Sequence, residues 1–205
     1  MRGRPVGQSD ILTIEEVSRM LALPDRRTKE GTRDYAVLLV LANTPMRKGE
    51  LVRLNVGNLI DEGQKHVTYQ GLKKRSEKPY WLKLPIAENV YLGVKRYLQL
   101  EHGDNPPSAD APLFLTLGKH GPYDKQRLTP KAVDCLVERY VRLASIEKRI
   151  TPHSFRATYL TLRAPGRDPA TLMTLSGHSS LQSLLPYVRA TAERRKEAAL
   201  AFTFA

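Results

Sequence analysis

Four basic residues and one tyrosine stand in a fixed order along this chain: Arg47, His153, Arg156, His178 and Tyr187. One chemistry needs that combination. A tyrosine hydroxyl attacks a phosphodiester while basic groups hold the phosphate and take up the charge that gathers on its oxygens. Arginine suits the task because its planar fork grips two phosphate oxygens at once. Taken singly, each position is weak: HxxR recurs by chance, and one arginine among many is commonly a solvated side chain. The ordered set carries the argument.

The elements that must position these groups follow from local signals. Thr151 suits an N-cap and Pro152 the first helical position, where no N–H is required. A helix beginning there places His153 and Arg156 three residues apart on one face of its first turn, beside free N–H groups that favour an anion. Arg47 stands at the start of a second short helix holding Glu50, Leu51, Val52 and Leu54. A cation there opposes the helix dipole unless an anion joins it.

Composition narrows the function classes. The chain has 205 residues, a formal net charge of +12 and 41% hydrophobic residues, with a pI near 9.9. Such a basic globular chain points to a polyanionic partner, nucleic acid first. Its one cysteine, Cys135, rules out an internal disulfide, fits a reducing cytoplasm and reads as a small buried side chain. No Cys/His cluster has zinc spacing and no membrane span is visible, so neither a metal nor a membrane is implied.

In order, the pattern predicts a loose basic arm over 1–10 and a helix capped by Thr13. A charged loop over 24–29 precedes an apolar helix from Thr32 to Asn43, which stops before Pro45. Residues 58–60, 66–70 and 80–84 read as three short antiparallel strands. A turn at Asp61-Glu62-Gly63 joins the first two. The charged tip Lys73-Lys74-Arg75-Ser76-Glu77-Lys78 joins the last two, and its lysines suit a DNA backbone. Helices follow over 87–100, from Pro130 to about Ala144, from Pro152, over 169–175, and finally from Thr191 to Phe202. The expected fold class is α+β, mainly α, with a small three-stranded antiparallel sheet.

From about Leu12 to its C-terminus the chain resembles the catalytic domain of the tyrosine recombinases, or phage integrases. Four patches carry the likeness: Thr44-Pro45-Met46-Arg47-Lys48-Gly49-Glu50-Leu51, the basic hairpin Gly71-Leu72-Lys73-Lys74, Thr151-Pro152-His153-Ser154-Phe155-Arg156, and Leu175-Ser176-Gly177-His178-Ser179-Ser180 with Tyr187 nine residues after His178. The resemblance implies a site-specific recombinase acting through a 3′-phosphotyrosyl link, without cofactor or metal. Tyr187 is then the nucleophile, and Arg47 and Arg156 stabilise the phosphate. His153 helps deprotonate the tyrosine and His178 hydrogen-bonds the phosphate. Lys73 or Lys74, with a lean to Lys73, protonates the leaving 5′-oxygen, and Glu50 supports Arg47. The implied partner is double-stranded DNA, bound by a homo-tetramer, with a monomer open for the free chain. Most members carry a clamping domain before the catalytic one, and whether an accessory DNA-binding protein supplies it here is left open by the sequence. On this reading residues 11–205 form the catalytic domain and that N-terminal domain is absent; the alternative is that the sequence is a fragment of a longer chain. A stand-alone catalytic domain resembles the fimbrial inversion recombinases. Two other readings stand beside it: nicking and resealing as in type IB topoisomerases, and a DNA-binding accessory protein without catalysis. Pro45 and Ala157 depart from the family's usual glycine and histidine, and Pro186 directly precedes Tyr187.

Overall fold

The computed structural model describes residues 11–71, 80–118, 125–164, 168–176 and positions 182, 184 and 185. The predicted arm over 1–10, the Lys73–Lys78 tip, His178, Tyr187 and the predicted helix over 191–202 lie outside the described residues.

Helix α1 (Ile14–Ala22) opens on a reciprocal cap. The Thr13 hydroxyl accepts from the Glu16 N–H at 3.2 Å, and Glu16 Oε2 accepts from the Thr13 N–H at 2.7 Å. Helix α2 (Lys29–Asn43) starts three residues before the predicted Thr32. Its cap is Thr28, whose hydroxyl accepts from the Gly31 N–H at 2.9 Å. A polar first turn hid this start behind the apolar run that follows. Gly31 is required there, since an added Cβ would lie 2.1 Å from the Asp25 carbonyl oxygen. Residues 36–41 of α2 are buried all round, which makes α2 the central helix. It packs against α1, against α4 (Glu88–His102), and against α5 (Pro130–Leu143) and α6 (Pro152–Arg163).

Helix α3 (Lys48–Leu51) is shorter than the predicted span to Leu54. The sheet follows it: β1 (Leu59–Glu62), β2 (Gln64–Gly71) and β3 (Tyr80–Pro85), antiparallel in that order. The fold class is the predicted one, mainly helical with a three-stranded antiparallel sheet. The first turn is tighter than predicted, because β1 runs through Asp61 and Glu62. Gly63 at φ 75° makes the reversal alone. In β2 the alternation buries Val67, Tyr69 and Gly71 on the core side. Gly71 pairs with Tyr80, whose ring occupies the space a Cβ would take, 2.0 Å away.

Thr129 and Pro130 open α5 as predicted, and Thr151 and Pro152 open α6. Helix α5 buries Val133, Leu136, Val137 and Tyr140, a stripe at helical spacing. Cys135 lies off that stripe and is exposed, which corrects the expectation of a buried side chain. Helix α7 (Pro169–Ser176) follows α6 in sequence.

The core divides in two. The larger cluster joins α1 through α5 to the sheet. A smaller one holds Ile11, Ala157, Tyr159, Leu160, Ala164, Leu172 and Leu184. It seats the back of α6 against the stretch that leads in sequence to Tyr187. Ala157 is fully buried within it, so the small side chain at that departure from the family pattern serves packing.

Candidate active site

The site is built where α3 meets α6. An isolated four-residue helix cannot sustain itself in water, so side chains from elsewhere must hold α3. Three contacts do so. Glu50 Oε2 accepts from the Arg47 backbone N–H at 2.7 Å, closing the first turn. Lys48 Nζ donates to both Asp134 carboxylate oxygens, at 2.7 and 2.6 Å, and ties α3 to α5. Arg127 Nη1 donates to the carbonyls of Val52 and Leu54, at 3.0 and 2.9 Å, and its Nη2 to Asn55 Oδ1 at 2.6 Å. That clamp grips the chain as it leaves α3.

Arg47 is thereby presented at a fixed place with 36% of its side chain exposed. Its Nη1 donates to Glu50 Oε1 at 3.1 Å, while the Glu50 side chain is only 1% exposed. A buried carboxylate beside a half-open guanidinium orients the arginine without removing it from solvent.

Arg156 is 1% exposed. Its Nη1 donates to the carbonyl of Pro45, two residues before Arg47 and 111 residues away in sequence. This one bond draws the start of α6 against the start of α3. His153, one turn earlier, is exposed. Even so, partial loss of hydration, followed by the charges of Arg156 and Arg47, holds its pKa below the ordinary imidazole value. That shift favours the neutral ring at pH 7. At the cap of α6 the Thr151 N–H donates to Ser154 Oγ at 3.1 Å, and the Ser154 N–H returns to the Thr151 carbonyl at 2.9 Å.

The structure thus brings together Arg47, Glu50, His153 and Arg156. Lys73, Lys74, His178 and Tyr187 lie outside the described residues. Sequence reasoning missed the supports: Asp134 and Arg127 reach the site from 86 and about 75 residues away, and no local pattern marks them. It also passed over Tyr69, a neighbour of Glu50 treated below. No group of acidic, histidine or cysteine side chains among the described residues is arranged to hold a metal. No described helix is long and apolar enough to cross a membrane.

Comparison with known proteins follows the same lines. Residues 10–194 match the profile described as Phage integrase family. A tyrosine recombinase of Synechococcus elongatus is 31% identical over 179 residues, covering 85% of this chain and 52% of that protein. The tyrosine recombinase XerD of Chlorobaculum tepidum is 33% identical over 177 residues, covering 83% of this chain and 54% of that protein. The chain therefore spans about half the length of these relatives. The XerH site-specific recombinase, solved bound to its palindromic difH substrate in a post-cleavage complex, shares the fold. It superposes with a TM-score of 0.69 at 21% identity, over 97% of this chain and 56% of that one.

Proposed function

The chain belongs to the phage integrase family, and from that premise we propose that it cleaves and rejoins DNA strands site-specifically through a 3′-phosphotyrosyl intermediate. The observation that carries this reading is the bond from Arg156 to the Pro45 carbonyl, which gathers both arginine-bearing segments beside His153. Support comes from the basic charge of the chain and from the XerH complex with DNA.

In the proposed reaction the Tyr187 hydroxyl attacks the scissile phosphorus as its proton passes to His153. The bond from phosphorus to the 5′-oxygen breaks, and that oxygen leaves as a hydroxyl with a proton from Lys73 or Lys74. Arg47 and Arg156 hold the non-bridging oxygens, with His178 as a further donor. Attack by a different 5′-hydroxyl reverses the step and joins new strands. The phosphotyrosyl bond conserves the phosphodiester energy, so no energy-rich cofactor enters. The substrate on this reading is double-stranded DNA, engaged by four copies of the chain in the cytoplasm, where one cysteine stays reduced.

Nicked duplexes that release a short strand on cleavage trap the intermediate. Drawn from the DNA flanking the gene, they should yield a covalent protein–DNA band that survives denaturation. No band on any flanking duplex, in the presence of salt-sensitive DNA binding, overturns the assignment of strand cleavage.

A pH profile tests the role of His153. Its folded pKa lies below the unfolded value of about 6.5, so the neutral base is fully present above that pH. Adduct formation should be level through neutrality and fall as pH drops through the depressed pKa. His153→Gln should lose that inflection along with about 10²-fold in rate. The same shift makes the fold less stable on acidification, because the unfolded chain binds the proton more tightly. An acid-side inflection above pH 7 in the wild type would exclude His153 as the base.

A further inference from the structure

Tyr69, on β2, is 2% exposed, and its hydroxyl has no hydrogen-bond partner among the described residues. Natural cores seldom retain such a group without a reason, since hydration is lost and nothing replaces it. A phenylalanine would fill the same space at lower cost.

The surroundings suggest the reason. Tyr69 and Glu50 line one cleft of about 420 Å³, walled also by Arg53, Asn58, Trp81 and Asp110. Burial, and after it the Glu50 carboxylate, push the phenol's pKa up, so it keeps a proton to donate. Glu50 in turn holds the Arg47 guanidinium at 3.1 Å. Glu50 is buried and Arg47 is partly open, so Arg47 is the member of the pair that can turn. When it turns toward a phosphate, the buried carboxylate has one donor fewer, which opposes the movement.

We propose that Tyr69 is a positioning residue for the DNA-bound state: as Arg47 swings from Glu50 to the phosphate, the Tyr69 hydroxyl donates to the Glu50 carboxylate in its place. The proposal rests on the recombinase reading above. It assigns Tyr69 no contact with DNA. Its function is to let Arg47 leave its carboxylate at little cost.

Tyr69→Phe separates this role from a structural one. The free variant should melt at the same temperature as wild type or higher, because it loses no bond present in the free state. Its stabilisation by DNA should be smaller than that of wild type. Adduct formation should slow about ten- to hundredfold, the worth of one hydrogen bond to a charged group. In a Glu50→Gln background the same change should matter by less than about twofold, since the charge that needs the donor is gone. A free variant that melts lower than wild type overturns the proposal, because the hydroxyl would then already be bonded. An unchanged adduct rate in Tyr69→Phe, with wild type forming its band, overturns it as well while leaving the recombinase reading intact. Absence of the wild-type band counts against that reading itself, and the melts of the free proteins still decide whether the hydroxyl is idle in the free state.

Discussion

Tyr187→Phe should abolish the covalent DNA adduct while leaving DNA binding and stability near wild type. The change deletes one oxygen, and that oxygen is the proposed nucleophile. Removing a nucleophile costs the whole covalent route, at least ~10⁴-fold in rate, because no neighbouring group can take over the bond to phosphorus. The chain has nine tyrosines, and the structure disqualifies several rivals. Tyr69, Tyr97, Tyr140 and Tyr159 are buried. Burial pushes the phenol pKa up at Tyr97 to about 12, and upward also at Tyr69 and Tyr140. A buried phenol that resists deprotonation is both out of reach of a phosphodiester and a poor nucleophile. Tyr91, on α4, lies under Lys65 of β2, so Tyr91→Phe serves as the control that keeps the band. A band that persists in Tyr187→Phe would move the nucleophile elsewhere. Binding lost along with the band would mean that the substitution disturbs more than the chemistry.

Much of this site was legible because its signals are local. Thr151-Pro152 marks a helix start, and Arg156, three residues after His153, must share a face with it. Thr129-Pro130 marks α5 in the same way, and the alternation Val67-Thr68-Tyr69 marks a half-buried strand. What the sequence hid lies in long-range partners and in rotation about helix axes. Nothing near Lys48 announces Asp134, and nothing near Arg127 announces the carbonyls of Val52 and Leu54. Cys135 sits among apolar neighbours in sequence, yet a helix turns 100° per residue, and that rotation carries it off the buried stripe to the surface. Pro45 appeared as a departure from a family pattern. Its carbonyl is the acceptor that holds Arg156, a contact made by backbone and hence available whatever the side chain. The four residues of α3 carry no helical signal strong enough to predict their rigidity. That rigidity is tertiary, supplied by Glu50, Asp134 and Arg127.

Arg156 is the described residue at which substitution should cost most, and two variants divide the cost. Arg156→Ala removes a long side chain from a site 1% exposed and strips the Pro45 carbonyl of its donor. Loss of packing and an unsatisfied buried carbonyl together should lower stability by about 2–5 kcal/mol. Cleavage should fall at least ~10³-fold, because the α6–α3 junction loosens and a phosphate ligand disappears. Arg156→Lys keeps the charge and much of the volume, so the fold should survive with a smaller loss. A lysine has no planar fork, however, and cannot hold the Pro45 carbonyl and face two phosphate oxygens in one fixed geometry. Its adduct rate should still fall by about 10²-fold or more. Thermal melts read the first effect and single-turnover adduct formation the second. If Arg156→Lys cleaves like wild type, the residue is only a strut between α3 and α6. If it melts like wild type but fails to cleave, the guanidinium acts on the phosphate itself, and its bond to Pro45 is what aims it.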